Sequence, residues 1–554
     1  MQIESVKIKN FRCFKEAEID FQLCHALVGE NGTGKTSVLE AISLAASSGL
    51  SHLSEQDFNN EDVGDLSIEV TFNGPFLNRV PDGYVTQDIP CKSVMFSAHR
   101  REKAAPGKAL SDPFVIEKFS VPIEYDKSHI PDVATGTASR VTIPIAVSKT
   151  ANGYESPRKT SSSKFSFTPT RLTLQNEMIN FPDVFYFDRD REEQARVGYN
   201  SLLQKMAKDL NWRFRKNWNS NDIMGRWDSF YQSVISTVID SKNDRLIRPI
   251  QEKLKSVAGI DFSDLELSLL DIEQPFSKSF FARRGGTNQI EQRRFGSGIS
   301  ILIAYFLLET ISKLSKEAVI FLIDEPELHL HPQLQNSLFH GFLDSDIQTI
   351  YTTQSDCFIN ISEWRSVTRF TPQSEILPDH SKLDELIEGQ MLAAHLDEIK
   401  KWHQHQSIFF REDNQLLFAR KCLLVEGPAE KYGLPILAQK LGKCLADVTI
   451  ISCNGKTKIP YYQLLCRAFL IPFFTLFDLD SGTCDAGDNK RPYSFADPAA
   501  RFTFTTSFEK VFGLNENDHK TSELLMKLDQ IVADDIPQEI KDAFQKIDGW
   551  LGNS

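Results

Sequence analysis

The stretch CHALVGENGTGKTSVLEAISLAA, residues 24–46, decides the fold. CHALV is a short apolar run of the kind that makes a buried strand, and VLEAISLAA spaces its apolar residues as a helix does. Between them, Gly29-Glu30-Asn31-Gly32-Thr33-Gly34-Lys35-Thr36 satisfies GxxxxGK[ST] without a mismatch. In that pattern backbone N–H groups curl around phosphates, the lysine reaches the β and γ oxygens, and the threonine hydroxyl holds magnesium. The helix that follows favours an anion at its N-terminus. The segment therefore predicts ATP held by Asn31, Gly32, Gly34, Lys35, Thr36 and Ser37, with Thr36 on Mg2+.

Outward from this loop, IESVKIKNF and EAEIDF alternate as half-buried strands, and LSIEVTF and KSVMFSA add two more. KTANGYESPRKTSSSKF is polar and reads as an exposed loop. Between about 195 and 258 apolar residues recur three and four apart, which predicts a helical insertion. ISILIAYFLLETI reads as a buried helix, and AVIFLIDEPELHLHP as an apolar strand ending in Asp324-Glu325. Beside a phosphate loop, Asp324 binds the magnesium through water and Glu325 polarises the attacking water. His331 before Pro332 marks a helix start, with proline at its first position.

From Lys421 a new unit begins. CLLVEG, AEKYGLPILAQKLG, VTIISCNG and FFTLFDLD alternate strand with helix, the pattern of a parallel sheet. Glu426 ends the first strand and Glu430 lies four residues on, while Asp478 and Asp480 end the last, on one face by period two. Ligands gather beyond the carboxyl ends of such strands. Four carboxylates converging there repel one another unless cations sit between them, and oxygen ligands select Mg2+, Mn2+ or Ca2+. Two such ions suit phosphodiester hydrolysis.

Composition sets the bounds. The 554 residues suffice for several domains, and 41% hydrophobic with 25% charged residues is the balance of a globular chain. A formal charge of −13 excludes coating of nucleic acid by bulk electrostatics, though not a local basic groove. Nine scattered cysteines without a CxxC pair argue against a disulfide framework or a zinc ribbon. No apolar run approaches about 18 residues and the N-terminus lacks a signal-peptide core, so no membrane and a cytoplasmic location are expected.

GENGTGKTS, with upstream NFRCF, downstream RRFGSGIS and then IDEPELHLHP, resembles ATPases of the ABC/SMC/RecF type. That resemblance implies two heads sandwiching ATP, with Ser297 of the Gly296-Ser297-Gly298 signature facing the other head's γ-phosphate. It also implies a phosphate contact from Arg12. Where the family usually has histidine after the next strand, TIYTTQSD places Gln354, which donates a hydrogen bond but carries no proton at neutral pH. Slow hydrolysis is the expectation. The pattern ELHLHP explains His329 and His331 without a zinc site.

VEGxxE, CNGK and DLDS in order resemble a Toprim domain, the metal-dependent fold of topoisomerases, primases and certain nucleases. The resemblance adds Glu509, a lysine near the scissile phosphate (Lys527 or Lys541), and Ser481 on metal-bound water. An ABC-type head fused to a C-terminal Toprim domain resembles the OLD (overcoming lysogenization defect) family of nucleases, as in Gabija-like or retron-associated defence. The expected fold is α/β: an ABC-type P-loop ATPase head over 1–375 with a helical insertion at about 195–258, a linker over 376–415, and a Rossmann-like parallel-sheet Toprim domain over 416–554. The implied function is ATP-regulated, divalent-metal-dependent DNA cleavage in anti-phage defence, by a homodimer or higher oligomer joined through the insertion. A helicase, or a retron reverse transcriptase and its DNA, is the implied partner. For DNA the local basic runs are His99-Arg100-Arg101, Arg189 with Arg191, Arg213-Phe214-Arg215-Lys216 and Arg283-Arg284. A non-cleaving ATP switch or scaffold and an RNA-cleaving toxin stay open as alternatives, because the acid cluster does not reveal whether a 2′-OH is read.

Overall fold

The computed structural model describes residues 1–46, 53–59, 64–82, 85–100, 114–122, 149–150, 153–154, 172–173, 178–188, 247–258, 265–268, 280–285, 288–291, 318–328, 330–372, 375–377, 411–480, 482–484, 487–514 and 521–553, with Leu302, Tyr305, Phe306, Glu309 and Thr310. It divides into two compact units, Met1–Leu27 with Asn31–Phe358, and Ile359–Ser554 with Val28–Glu30.

Along the first unit run β1 (Ile3–Phe11), β2 (Phe14–Asp20), β3 (Cys24–Gly29), α1 (Lys35–Ala46), β4 (Leu66–Asp82), β5 (Val85–Arg100) and β6 (Phe114–Pro122). Further on come β7 (Asp183–Phe187), β8 (Val319–Ile323), α2 (Pro332–Leu343) and β9 (Gln348–Thr352). One sheet is antiparallel, in the order β2-β1-β4-β5-β6. Alternation makes it one-sided: in β1 the side chains of Ile3, Val6, Ile8 and Phe11 are buried while Glu4, Lys7 and Lys9 face out. The strands carrying the nucleotide loop are parallel, in the order β7-β8-β9-β3. All five residues of β8 and of β9 are buried, as central parallel strands require. His331 caps α2, its Nδ1 accepting from the backbone N–H of Gln333 at 3.4 Å with Pro332 first in the helix, as the sequence predicts.

Two readings meet a different outcome or none. Within the stretch expected to be a loop, Lys149–Thr150 pairs antiparallel with Gly153–Tyr154. Of the helical insertion, Ile247–Ala258 is a helix and the rest lies outside the described residues. Most of the 376–415 linker also lies outside them.

The second unit has a four-stranded sheet, parallel throughout. Its strands are β10 (Lys421–Val425), β11 (Val448–Ser452), β12 (Phe473–Asp478) and β13 (Arg501–Phe504), in the order β11-β10-β12-β13. Helix α3 (Pro428–Lys440) connects β10 toward β11. Leu423, Val425, Phe474 and Leu476 of the sheet share a core with Leu434 and Leu437 of α3, and with Leu528, Phe544 and Ile547. Burying each such side chain contributes about 1.5–3 kcal/mol, which fixes the strand ends where the acids sit.

Candidate nucleotide and metal sites

The glycine loop takes the backbone its residues require. Gly32 has φ 81° and Gly34 φ 102°, values that L side chains rarely adopt. Space adds a second constraint at Gly34, where a Cβ would stand 2.5 Å from Cys13 Sγ and 2.6 Å from the Phe14 ring. Lys35 is buried at the start of α1. The Thr36 hydroxyl donates across both oxygens of Asp324, at 3.0 and 3.1 Å. Loop and acidic strand end are thus joined directly by hydrogen bonds.

Around Asp324 and Glu325 the donors come from β9 and the turn behind it. The Thr352 hydroxyl donates to Asp324 Oδ1 at 2.5 Å and accepts from the Glu325 N–H at 2.9 Å. Glu325 adopts φ 49°, a left-handed conformation uncommon for a residue with a Cβ. Gln354 Nε2 donates to Glu325 Oε1 at 2.5 Å and to Asn31 Oδ1 at 2.8 Å, bridging the acid and the phosphate loop. Sequence reasoning placed Gln354 but missed Thr352 and Glu327. Glu327 Oε1 accepts from the backbone N–H of Gln354 at 2.7 Å and from the Thr353 hydroxyl at 3.0 Å. Burial raises the Glu327 carboxyl above its usual range. Arg12 is engaged by Glu40 and by Asp57 at 3.0 Å. Burial disfavours its charge, but the two carboxylates outweigh that and hold the guanidinium charged. Ser37 lies in the first turn of α1, and Ser297 lies outside the described residues.

In the second unit the acids gather at the carboxyl end of the sheet. Glu426 directly follows β10, Asp478 ends β12, and Glu509 lies in the short helix Phe508–Val511. Glu426 Oε2 accepts from the Asp478 backbone N–H at 3.3 Å. Glu430 Oε2 accepts from the Gly427 backbone N–H at 3.0 Å, capping α3. Asp478 Oδ2 accepts from the Phe508 backbone N–H at 3.1 Å, while its Oδ1 is buried with no hydrogen-bond partner. Burial first, and then the neighbouring acids, push Asp478 up to about 9. Burial, Glu509 and Glu426 push Glu430 up to about 7. Glu426 is raised by burial, against the nearby Lys456.

Asp480 departs from the period-two expectation. The strand ends at Asp478, and Asp480 turns left-handed at φ 51°, exposed and paired with Lys456 Nζ at 2.5 Å. Lys456 reaches it because Asn454 at φ 54° and Gly455 at φ 124° reverse the chain after β11, with the Gly455 N–H donating to Glu426 O at 2.8 Å. Lys527 donates to the Phe512 carbonyl and Lys541 to the Asp534 carbonyl at 3.0 Å, whereas Lys456 pairs with an acid of this cluster. Glycine before lysine was the available signal. Ser481 lies outside the described residues. Among the described residues no three acid, histidine or cysteine side chains already form a closed metal cage. The donor set still fits a divalent cation: all its ligands are oxygens, several are buried together, and one oxygen lacks a donor.

The chain resembles known proteins along most of its length. Residues 1–359 match the family model AAA_15, AAA ATPase domain, and residues 417–480 match the Overcoming lysogenization defect protein-like, TOPRIM domain. The OLD nuclease of Thermus scotoductus is 22% identical over 504 residues, covering 86% of this chain and 82% of that protein. The Old nuclease of Escherichia phage P2 is 26% identical over 200 residues, 34% of this chain and 33% of that protein. A solved Smc head bound to the C-winged helix domain of ScpA covers 68% of this chain and 95% of its own, at 15% identity and TM-score 0.35. Among the described residues no helix is long and apolar enough to cross a membrane.

Proposed function

This chain belongs to the AAA ATPase domain family and carries an OLD-like TOPRIM domain behind it, and from that membership we propose that it is an ATP-regulated, divalent-metal-dependent DNA endonuclease of anti-phage defence. The observation that carries the reading is the buried carboxylate group of Glu426, Glu430 and Asp478, whose protons are held above the usual range and whose Asp478 Oδ1 lacks a donor. A non-cleaving scaffold has no use for that much destabilising acid in one place.

In the ATPase unit, the glycine loop and Lys35 would hold the phosphates, Thr36 and Asp324 would hold Mg2+, and Glu325, its carboxylate fixed by Gln354, would orient water. Gln354 cannot relay a proton, which keeps turnover slow. In the TOPRIM unit, Glu426, Glu430, Asp478 and Asp480 would hold Mg2+ or Mn2+, with Glu509 beside them. Such ions, when bound, supply activation of water and stabilisation of the leaving oxygen. Lys456 balances Asp480 and stands ready for a phosphate. The active form is a homodimer or higher oligomer in which Ser297 completes the partner's nucleotide site, working alone or beside a helicase or a retron reverse transcriptase with its DNA.

The test is cleavage of supercoiled, linear and single-stranded DNA by the purified chain, with Mg2+ or Mn2+, with and without ATP, beside Asp478→Ala. Expected is metal-dependent cutting that changes with ATP and vanishes in the variant while ATP hydrolysis continues. Equal cutting by both proteins overturns the site assignment.

A further inference from the structure

The nucleotide site holds a carboxylate to which the reading above gives no role. Glu327 lies three residues beyond Asp324, in the turn that leaves β8. Its Oε1 takes the Gln354 backbone N–H at 2.7 Å and the Thr353 hydroxyl at 3.0 Å. Thr353 Oγ1 in turn accepts from the Ser355 N–H at 3.0 Å, and the Ser355 hydroxyl donates to Gln335 Oε1 of α2 at 3.0 Å. Gln335 Nε2 donates to the Leu330 carbonyl at 3.0 Å and closes the circuit on the Glu327 carbonyl at 3.4 Å. The bonds to Glu327 and Thr353 bear directly on the backbone around Gln354, and the Gln354 side chain spans Asn31 and Glu325. The second oxygen, Oε2, is buried without a hydrogen-bond partner. A carboxyl present only to stabilise the turn would be expected to satisfy both oxygens.

We infer that Glu327 is a positioning residue for ATP hydrolysis, its carboxylate fixing the Gln354 backbone so that the Gln354 amide holds Glu325 against the phosphate loop. The role needs an acceptor at Oε1 and not a negative charge. Glutamine at 327 therefore preserves it, and alanine removes it. Misplacing a reacting group by about 1 Å costs up to 10²-fold in rate, whereas ground-state nucleotide binding by the loop is made elsewhere. This inference rests on reading the site as one that hydrolyses ATP.

Steady-state ATP hydrolysis by the full chain tests it, with Glu327→Ala, Glu327→Gln, Gln354→Ala and the double variant Glu327→Ala/Gln354→Ala. Expected is a kcat lowered about 10- to 100-fold in Glu327→Ala with KM for ATP within about twofold. Glu327→Gln should recover most of the rate, and the double variant should be no slower than Gln354→Ala alone. Equal loss in the glutamine and alanine variants, a rise in KM alone, or multiplicative losses in the double variant overturns the inference. Should Glu327→Ala fail to fold, Glu327→Leu fills the space without an acceptor and makes the same comparison. Absent hydrolysis by wild type would sink the reading of the site itself, whereas wild-type hydrolysis beside an unaffected Glu327→Ala sinks only the role given to Glu327.

Discussion

Two groups of acids stand at the ends of parallel strands, and their surroundings treat them in opposite ways. In the ATPase unit both acids of the strand end are met by side-chain donors: Asp324 by the Thr36 and Thr352 hydroxyls, Glu325 by the Gln354 amide. In the TOPRIM unit Glu426, Glu430 and Asp478 each take a backbone N–H, yet burial with mutual repulsion lifts Glu430 to about 7 and Asp478 to about 9. The first arrangement is set by the chain's own hydrogen bonds. The second stores unfavourable electrostatics that a cation relieves by displacing protons.

The contrast breaks most visibly in metal binding against pH. Mn2+ affinity measured by calorimetry should rise on the order of 10³-fold from pH 6 to 9, as Glu430 and then Asp478 surrender protons. A flat profile would mean the acids are not the ligands. Next in size is the stability of Asp478→Asn in chelator. A carboxyl whose folded pKa lies above its unfolded one contributes most below about pH 4, and that contribution drains away as pH rises toward 9. Removing it should therefore stabilise the fold at pH 7.5 by up to about 5 kcal/mol, read from urea unfolding, with the gain gone at pH 4. Asp324→Ala should act with the opposite sign, costing about 2 kcal/mol because two hydroxyls lose their acceptor. Should both variants shift stability the same way, the distinction between the sites collapses. Smallest is Lys456→Met, whose pair with the exposed Asp480 should cost under about 1 kcal/mol in stability. A larger loss would make that lysine a core element.

What could be read from the sequence follows from how local each feature is. Strand, loop and helix at 24–46 are contiguous, and so are the apolar runs ending at Asp324 and Asp478, so period and glycine spacing locate them. The order Glu426, Asn454-Gly455-Lys456, Asp478 carries the TOPRIM unit for the same reason. Contacts made across the fold were not legible. Thr352 reaches Asp324 only because β8 and β9 pair in register. The pairing of Lys456 with Asp480 was not legible, since a long side chain's direction depends on the left-handed backbone at Asn454 and Gly455. Asp480 shared its face with Asp478 only if the strand ran on, and it stops at Asp478.

The bond between Thr36 and Asp324 spans 288 positions of chain, and that distance has a cost in time during biosynthesis. At about 5–20 residues per second, roughly 15–60 s separate synthesis of the phosphate loop from that of its acidic counterpart. Throughout that interval the nascent N-terminal sheet waits with its nucleotide loop unmatched. Assembly of the ATPase site therefore trails synthesis of the phosphate loop on the ribosome, and is completed only once the strand ending at Asp324 has emerged.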